Sequence, residues 1–292
     1  MTAGAVQRPP AGGTYDIVAG QSAAVIIRNY STSFGLATRL LGEPVRGHVR
    51  NIYALVRIAD EIVDTPDLEL GVSDRAELLD LLHADTLRAM RHGHSTNLVV
   101  HAFAGTARAT GIGPDLVDPF FASMRSDLSA ARHDPASLNR YIYGSAEVVG
   151  LMCLHAFLAD AGEAPAYADL APGARRLGAA FQKVNFLRDL AHDRGVLGRS
   201  YFDLPAGADL TDAQRDTILD DIDADLAAAA VAIASLPVSS RRAVRAAHLL
   251  FSELSSRLRA TPAEHITSTR VSVPGSVKAR LVARAFLTGG SR

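Results

Sequence analysis

The sequence predicts an all-α protein, a single-domain helical bundle built around a central cavity. Three observations lead there. Apolar residues recur at helical spacing along most of the chain, and the strict alternation of a half-buried strand is almost absent. The helix-period runs are separated by turn signals, such as GEP at 42–44, GIGP at 111–114, HDP at 133–135, PG at 172–173 and LPAG at 204–207. Two of the runs carry a narrow polar stripe on an otherwise apolar circumference, so their polar groups face a hollow rather than bulk water.

In chain order, the spacing predicts helices near 17–28, 33–41, 45–64, 74–92, 96–110, 115–131, 137–160, 174–195, 212–235, 239–259 and 275–287. Ser73, Ser137 and Thr211 stand where N-caps belong. Residues 1–14 read as a loose tail ahead of one domain over 15–292, since no apolar h-region of an export signal is found there. No repeat of fixed period appears.

Bulk composition narrows the function classes. Of 292 residues, 48% are hydrophobic and 21% charged, as expected of a soluble globular chain, and the formal net charge of −1 leaves no basic footprint for nucleic acid. No apolar run reaches the eighteen or so residues that span a bilayer, so the expected location is the cytoplasm. The one cysteine, Cys153, lies in the apolar run GLMCLHAFL and reads as a core residue; alone it excludes an internal disulfide. His92, His94 and His101 show no ligand-like pairing with acids and are expected at the surface. After Glu264 the chain has no acid, while Arg270, Lys278, Arg280, Arg284 and Arg292 are basic. That segment is either an ordinary last helix with a solvated basic side, the commoner case, or a basic amphipathic helix in peripheral contact with an anionic membrane.

The two striped helices carry the chemistry. In NIYALVRIADEIVD, residues 51–64, spacings of four, three and four align Tyr53, Arg57, Asp60 and Asp64. In LGAAFQKVNFLRDLAHD, residues 177–193, spacings of three, four and four align Gln182, Asn185, Asp189 and Asp193. One DxxxD pair on an exposed helix usually means nothing. Two in one all-α chain, each with amide or guanidinium neighbours inside a greasy setting, need a cation to offset repulsion and lost hydration. An oxygen-only donor set favours Mg²⁺, with Mn²⁺ as a substitute, and hard cations of this kind bridge carboxylates to phosphate oxygens. Arg57 and Arg188 stand beside the motifs and complement diphosphate charge.

At these residues the chain closely resembles the squalene/phytoene synthase family, the head-to-head prenyl synthases, over about Tyr30 to Pro205. The resemblance rests on four signatures in order: YSTSFGLATRLL, VRIADEIVD, YIYGSAEVVGLM and FQKVNFLRDLAHDRGVLGRSYF. It implies an isoprenoid-synthase-type bundle with Asp60, Asp64, Asn185, Asp189 and Asp193 as Mg²⁺ ligands. Ser31, Ser33, Tyr53, Arg57, Gln182 and Arg188 would contact substrate diphosphates, although Ser31 and Ser33 equally suit a helix N-cap. Tyr141 would act in the cation steps or serve as packing. Phe34, Gly144, Ala146 and Gly150 would line or shape the prenyl channel. Asp127 would be a structural hydrogen-bond partner or a substrate contact. Two departures stand out: Glu147 replaces a frequent glycine near the cavity helix, and His192 replaces a frequent acid. The implied reaction joins two allylic diphosphates through a cyclopropyl diphosphate. The wording of the middle signature and the GRSYF ending resemble bacterial carotenoid-pathway members, which points to phytoene from two geranylgeranyl diphosphates without NADPH. The alternatives are squalene or dehydrosqualene from farnesyl diphosphate, a cyclase acting on one prenyl diphosphate, and a non-catalytic member of the fold.

Overall fold

The structure, a computed structural model, describes residues 13–31, 33–64, 69–129, 133–159, 161, 166–195, 199, 201–202 and 210–288. Among them there are helices and turns and no strand. In order they are α1 (Thr14–Tyr30), α2 (Ser33–Thr38), α3 (Val45–Asp64), α4 (Val72–His92), α5 (Leu98–Thr110), α6 (Pro114–Ser126), α7 (Pro135–Ile142), a π turn (Tyr143–Glu147), α8 (Val148–Leu158), α9 (Tyr167–Arg188), α10 (Leu190–Gly195), α11 (Asp212–Ser235), α12 (Val238–Ala260), α13 (Ala263–Ile266) and α14 (Gly275–Thr288).

Most of the bundle follows the apolar period, and the departures have local causes. Helix α1 starts at Thr14, earlier than expected, because Asp16 accepts from the Gly13 N–H at 2.7 Å and caps the first turn. Asp74 does the same for Gly71, so α4 begins before Ser73. The cap of α7 is Asp134 rather than Ser137, whose own N–H donates to Asp134 Oδ1 at 2.7 Å. Thr211 does cap α11, in a reciprocal pair with Gln214. The expected break at PG 172–173 is absent: α9 runs through it. Pro172 lies early in that helix, where it removes a single ladder donor, and Gly173 lets the backbone press against Ala232, whose Cβ would lie 2.1 Å from an added one.

Two hydrophobic cores flank the centre. One joins α3, α4, α5, α6 and α8 around Ile52, Leu55, Phe103 and Phe120. The other joins α9, α11, α12 and α13 around Leu187, Leu219, Ile222 and Leu258. Close approach between the halves is set by small residues. A Cβ on Gly178 would lie 2.5 Å from the Ala146 carbonyl, and one on Gly150 would lie 2.5 Å from that of Ala174. The span Pro135–Leu158 is long and apolar enough to cross a membrane by length and composition, contrary to the sequence expectation. It owes that character to its place between the two cores, where 56% of its most apolar window is buried.

The histidine expectation also needs correction. His101 is buried, with Nε2 2.7 Å from Asp16 Oδ1, and Tyr15 and His94 pack against its ring. This cluster pins α1 to α5 and to the turn before it. The sequence hides it because Asp16 and His101 are 85 residues apart.

Candidate active site

Between the cores lies a cavity of about 740 Å³. One end is polar. Helix α3 brings Tyr53, Arg57, Asp60 and Asp64 to its wall, and α9 with α10 brings Gln182, Asn185, Arg188, Asp189 and Asp193. Ser31 and Tyr141 join them. Ser33 opens α2, and its side chain, like that of His192, is outside the described residues. The structure therefore brings both aspartate motifs to one hollow.

The second stripe is not one uninterrupted helix. Asp189 adopts φ −100°, ψ 10° and ends α9, and α10 starts at the next residue. The break is local, since the Asp189 and Asp193 N–H groups still donate four residues back, at 2.8 and 2.9 Å. Both carboxylates keep their place on the wall.

Charge balance in this hollow is strained. Burial, then Asp64, raises the Asp60 carboxyl well above the carboxylate range. Burial, then Asp189 and Asp64, raises Asp193 to about 7. The first motif is thus felt across the cavity by the second. Asp189 goes the other way: burial alone would raise it, but Arg188 and Arg270 outweigh burial and hold it low. Arg270 Nε donates to Asp189 Oδ1 at 2.7 Å, so this residue of the basic C-terminal segment belongs to the site.

Sequence reasoning missed Arg199. It is buried, and its Nη1 lies 2.6 Å from Asp64 Oδ1 while Nη2 donates to the Val63 carbonyl at 2.9 Å. Its backbone N–H donates to the Asp193 carbonyl at 2.8 Å, and Nη1 is 3.8 Å from Asp127 Oδ1. One side chain ties the first motif to the segment after the second. The signal was a lone arginine in GRSYF, beyond the helix period and without a stripe to align it.

Deeper in, the Tyr141 hydroxyl donates to Asp127 Oδ2 at 2.8 Å, and Ser123 Oγ donates to the Tyr141 carbonyl at 3.1 Å. Burial, opposed by Arg199 and Tyr141, leaves Asp127 at about 7. Phe186 and Tyr201 stack with centroids 3.9 Å apart, and Tyr141 lies 5.4 Å from Tyr201. These π faces suit a passing carbocation. Phe34 stacks on Tyr53 at 5.6 Å, and Ser31 Oγ accepts from the Gly35 N–H at 3.3 Å, which makes it a cap for α2 as well as a wall residue. The Arg57 guanidinium sits 4.6 Å over Tyr30 and salt-bridges Glu61, yet its buried Nε has no acceptor among the described residues.

Several expectations shift. Ala146 and Gly150 line the cavity, whereas Gly144 does not; it serves close packing, since a Cβ there would lie 2.2 Å from the Pro119 carbonyl oxygen and from Ser123 Oγ. Glu147 is turned away from the hollow and accepts from Arg175 Nε at 2.6 Å. Cys153 is on the cavity wall, with its thiol pushed up to about 12 by burial.

Among the described residues no three His, Cys, Asp or Glu side chains converge to cage an ion alone. The donors are instead divided between two walls that repel one another electrostatically. That arrangement fits divalent ions completed by oxygens of a bound anion, with Asp60, Asp64, Asn185, Asp189 and Asp193 as the residues that would hold them.

Fold and site together define an all-α isoprenoid-synthase bundle with its acids gathered at one end of a greasy chamber. The squalene/phytoene synthase family profile matches residues 27–276. This chain belongs to that family, whose members are prenyltransferases of isoprenoid biosynthesis acting on prenyl diphosphates. The 4,4'-diapophytoene synthase of Staphylococcus haemolyticus is 30% identical over 186 residues, which is 61% of this chain and 59% of the relative's length. A dehydrosqualene synthase crystal structure superposes with TM-score 0.77 at 18% identity, covering 93% of this chain and 96% of that one. The squalene synthase HpnC from Alicyclobacillus acidocaldarius gives TM-score 0.71 at 18% identity, covering 85% and 96%. At these identities the two structures attest the fold.

Proposed function

We propose that this protein condenses two identical allylic diphosphates head to head, and that the pair is geranylgeranyl diphosphate, giving phytoene. The observation that carries the reaction class is the facing of Asp60 and Asp64 against Asn185, Asp189 and Asp193 at the polar end of an otherwise apolar cavity. Bound Mg²⁺, or Mn²⁺ in its place, would supply Lewis-acid stabilisation of the departing diphosphate. The chain's own residues do the rest. Arg57, whose Nε has no acceptor among the described residues, and Arg188 hold diphosphate oxygens, joined by Tyr53, Gln182, Ser31 and Ser33. The walls exclude water from the allylic cation, and Phe186, Tyr201 and Tyr141 present π faces to it. In this reading the cation alkylates the partner's double bond, and loss of a proton from the resulting cation closes the ring of a cyclopropyl diphosphate. A second ionisation and rearrangement follow, and loss of a proton, not hydride from NADPH, ends the sequence.

Small side chains such as Ala37, Ala229, Ala243 and Ala247 share the cavity wall with bulky ones such as Leu41, Phe157, Leu236 and Phe251, so the choice of the longer pair rests on the middle signature and the GRSYF ending. The shorter pair is the second reading, favoured by the name of the Staphylococcus haemolyticus relative: two farnesyl diphosphates giving dehydrosqualene, or squalene if a reductive step follows. A cyclase of one prenyl diphosphate would need no room for a second tail. The deciding experiment incubates purified protein and Mg²⁺ with farnesyl or geranylgeranyl diphosphate, with and without NADPH. A forty-carbon product from the longer substrate alone supports phytoene, a thirty-carbon product overturns that length, and a cyclised monomer overturns the reaction class.

A further inference from the structure

Four aromatic rings meet beside the polar end of the cavity. Tyr141, Phe186 and Tyr201 belong to its wall, whereas His133 stands behind them. Its ring is nearly parallel to that of Tyr201, with centroids 5.9 Å apart and planes at 12°, and lies 5.0 Å from that of Tyr141. Of the four rings, the imidazole alone changes charge near neutral pH.

Its surroundings keep it neutral. Nδ1 is buried and has no hydrogen-bond partner among the described residues. A lone pair tolerates that position. Protonated, the same nitrogen would bury an N–H without an acceptor, together with a charge. The charged and titratable groups around the ring, among the described residues, are Asp134, Arg199, Tyr141 and Tyr201, with Asp127 beyond the two tyrosine hydroxyls. Burial lowers the imidazole from its ordinary 6.5, opposed by Asp134 and reinforced by Arg199.

The consequence lies on the far side of the wall. A cation over a π face is held by the negative quadrupole of the ring. A positive charge against the back of the same rings competes for that density and repels the first. At about 10 Å and an effective dielectric of about 20, it slows formation of the cation on the order of tenfold.

We infer that His133 is a positioning residue for the cation step: an uncharged ring behind the wall that fixes Tyr141 and Tyr201 and leaves their π density to the cation. The inference rests on the ionisation step of the proposed reaction, and not on which product follows.

The test follows diphosphate release by purified protein with Mg²⁺ and farnesyl or geranylgeranyl diphosphate. At about pH 8, where imidazole is neutral, His133→Phe is expected to keep kcat within about twofold of wild type. His133→Lys is expected to fall about tenfold below His133→Met, with KM alike, since the two side chains are similar in shape and differ in charge. The ratio of wild-type to His133→Phe kcat cancels the other titrating groups. It is expected to stay level from about pH 8 to about 6.5 and to decline below that, as the imidazole gains its proton. Should His133→Lys lose helical content, the pH ratio decides. Without turnover, the ¹⁵N signal of Nδ1 at about pH 7 is expected to be that of an unprotonated nitrogen. Equal kcat in the Lys and Met variants, a level ratio down to about pH 5, or a protonated Nδ1 overturns the inference. Product mass is read from the same reactions: a cyclised monomer there overturns the condensation reading and leaves the ratio as the measure of His133.

Discussion

Arg199 and Asp64 are 135 residues apart in sequence and form a 2.6 Å ion pair at the end of α3. The guanidinium also holds the Val63 carbonyl, so the last turn of the first motif is anchored by the segment that follows the second. A cation held by Asp64 would share the carboxylate with this arginine.

Replacing Arg199 with Met should loosen that anchor. Asp64 keeps 39% side-chain exposure, so the cost falls below that of a fully buried pair, at about 1–3 kcal/mol by urea denaturation. The Mg²⁺ concentration for half-maximal turnover should rise, with Arg199→Lys recovering part of the loss. An unchanged Mg²⁺ curve would remove Arg199 from the site.

Asp60→Asn and Asp189→Asn should each lower turnover on the order of 10²–10³. The Asp60 variant should melt no lower than wild type, because burial and Asp64 already disfavour its charge. Product assays and calorimetry on the same samples check both halves, and near-normal turnover in either variant would reject the ligand assignment.

Asp127 gives a pH signature. Its folded value is raised from 3.8 to about 7. The stability it contributes is complete below the unfolded value and is lost as pH rises through about 7. Relative to Asp127→Asn, the wild type should lose stability across pH 4 to about 7, by on the order of 4 kcal/mol at most. A constant difference between the two proteins in urea melts over this range would exclude the raised value.

Ala243→Leu would put a branched chain into the apolar end of the cavity. It should lower kcat/KM for geranylgeranyl relative to farnesyl diphosphate by about tenfold or more. Competition between the two substrates measures the ratio directly, and an unaltered ratio would place the length determinant elsewhere.

The helical period made both aspartate motifs legible, because Asp60, Asp64, Asp189 and Asp193 repeat within one stretch each. It also located α3, with bounds as expected at 45–64. What it missed depends on tertiary contact. Arg199 and Arg270 reach the acids from segments with no pattern of their own. Asp134 and Asp16 won their caps over the serine and the apolar period that suggested other starts. Pro172 and Gly173 read as a stop, but the close seat against Ala232 keeps the helix going. Gly144 and Glu147 share a signature with the cavity residues, and only the π turn and its packing against α6 and α9 decide which way each faces.

Helix α3 ends on Asp64, where the last carbonyls carry the equivalent of about half a negative charge. Arg199 answers it through the Val63 carbonyl, so the backbone holds this guanidinium even where the carboxylate is removed. An amide at Asp64 would weaken that grip without erasing it, because a peptide dipole is beyond the reach of side-chain substitution.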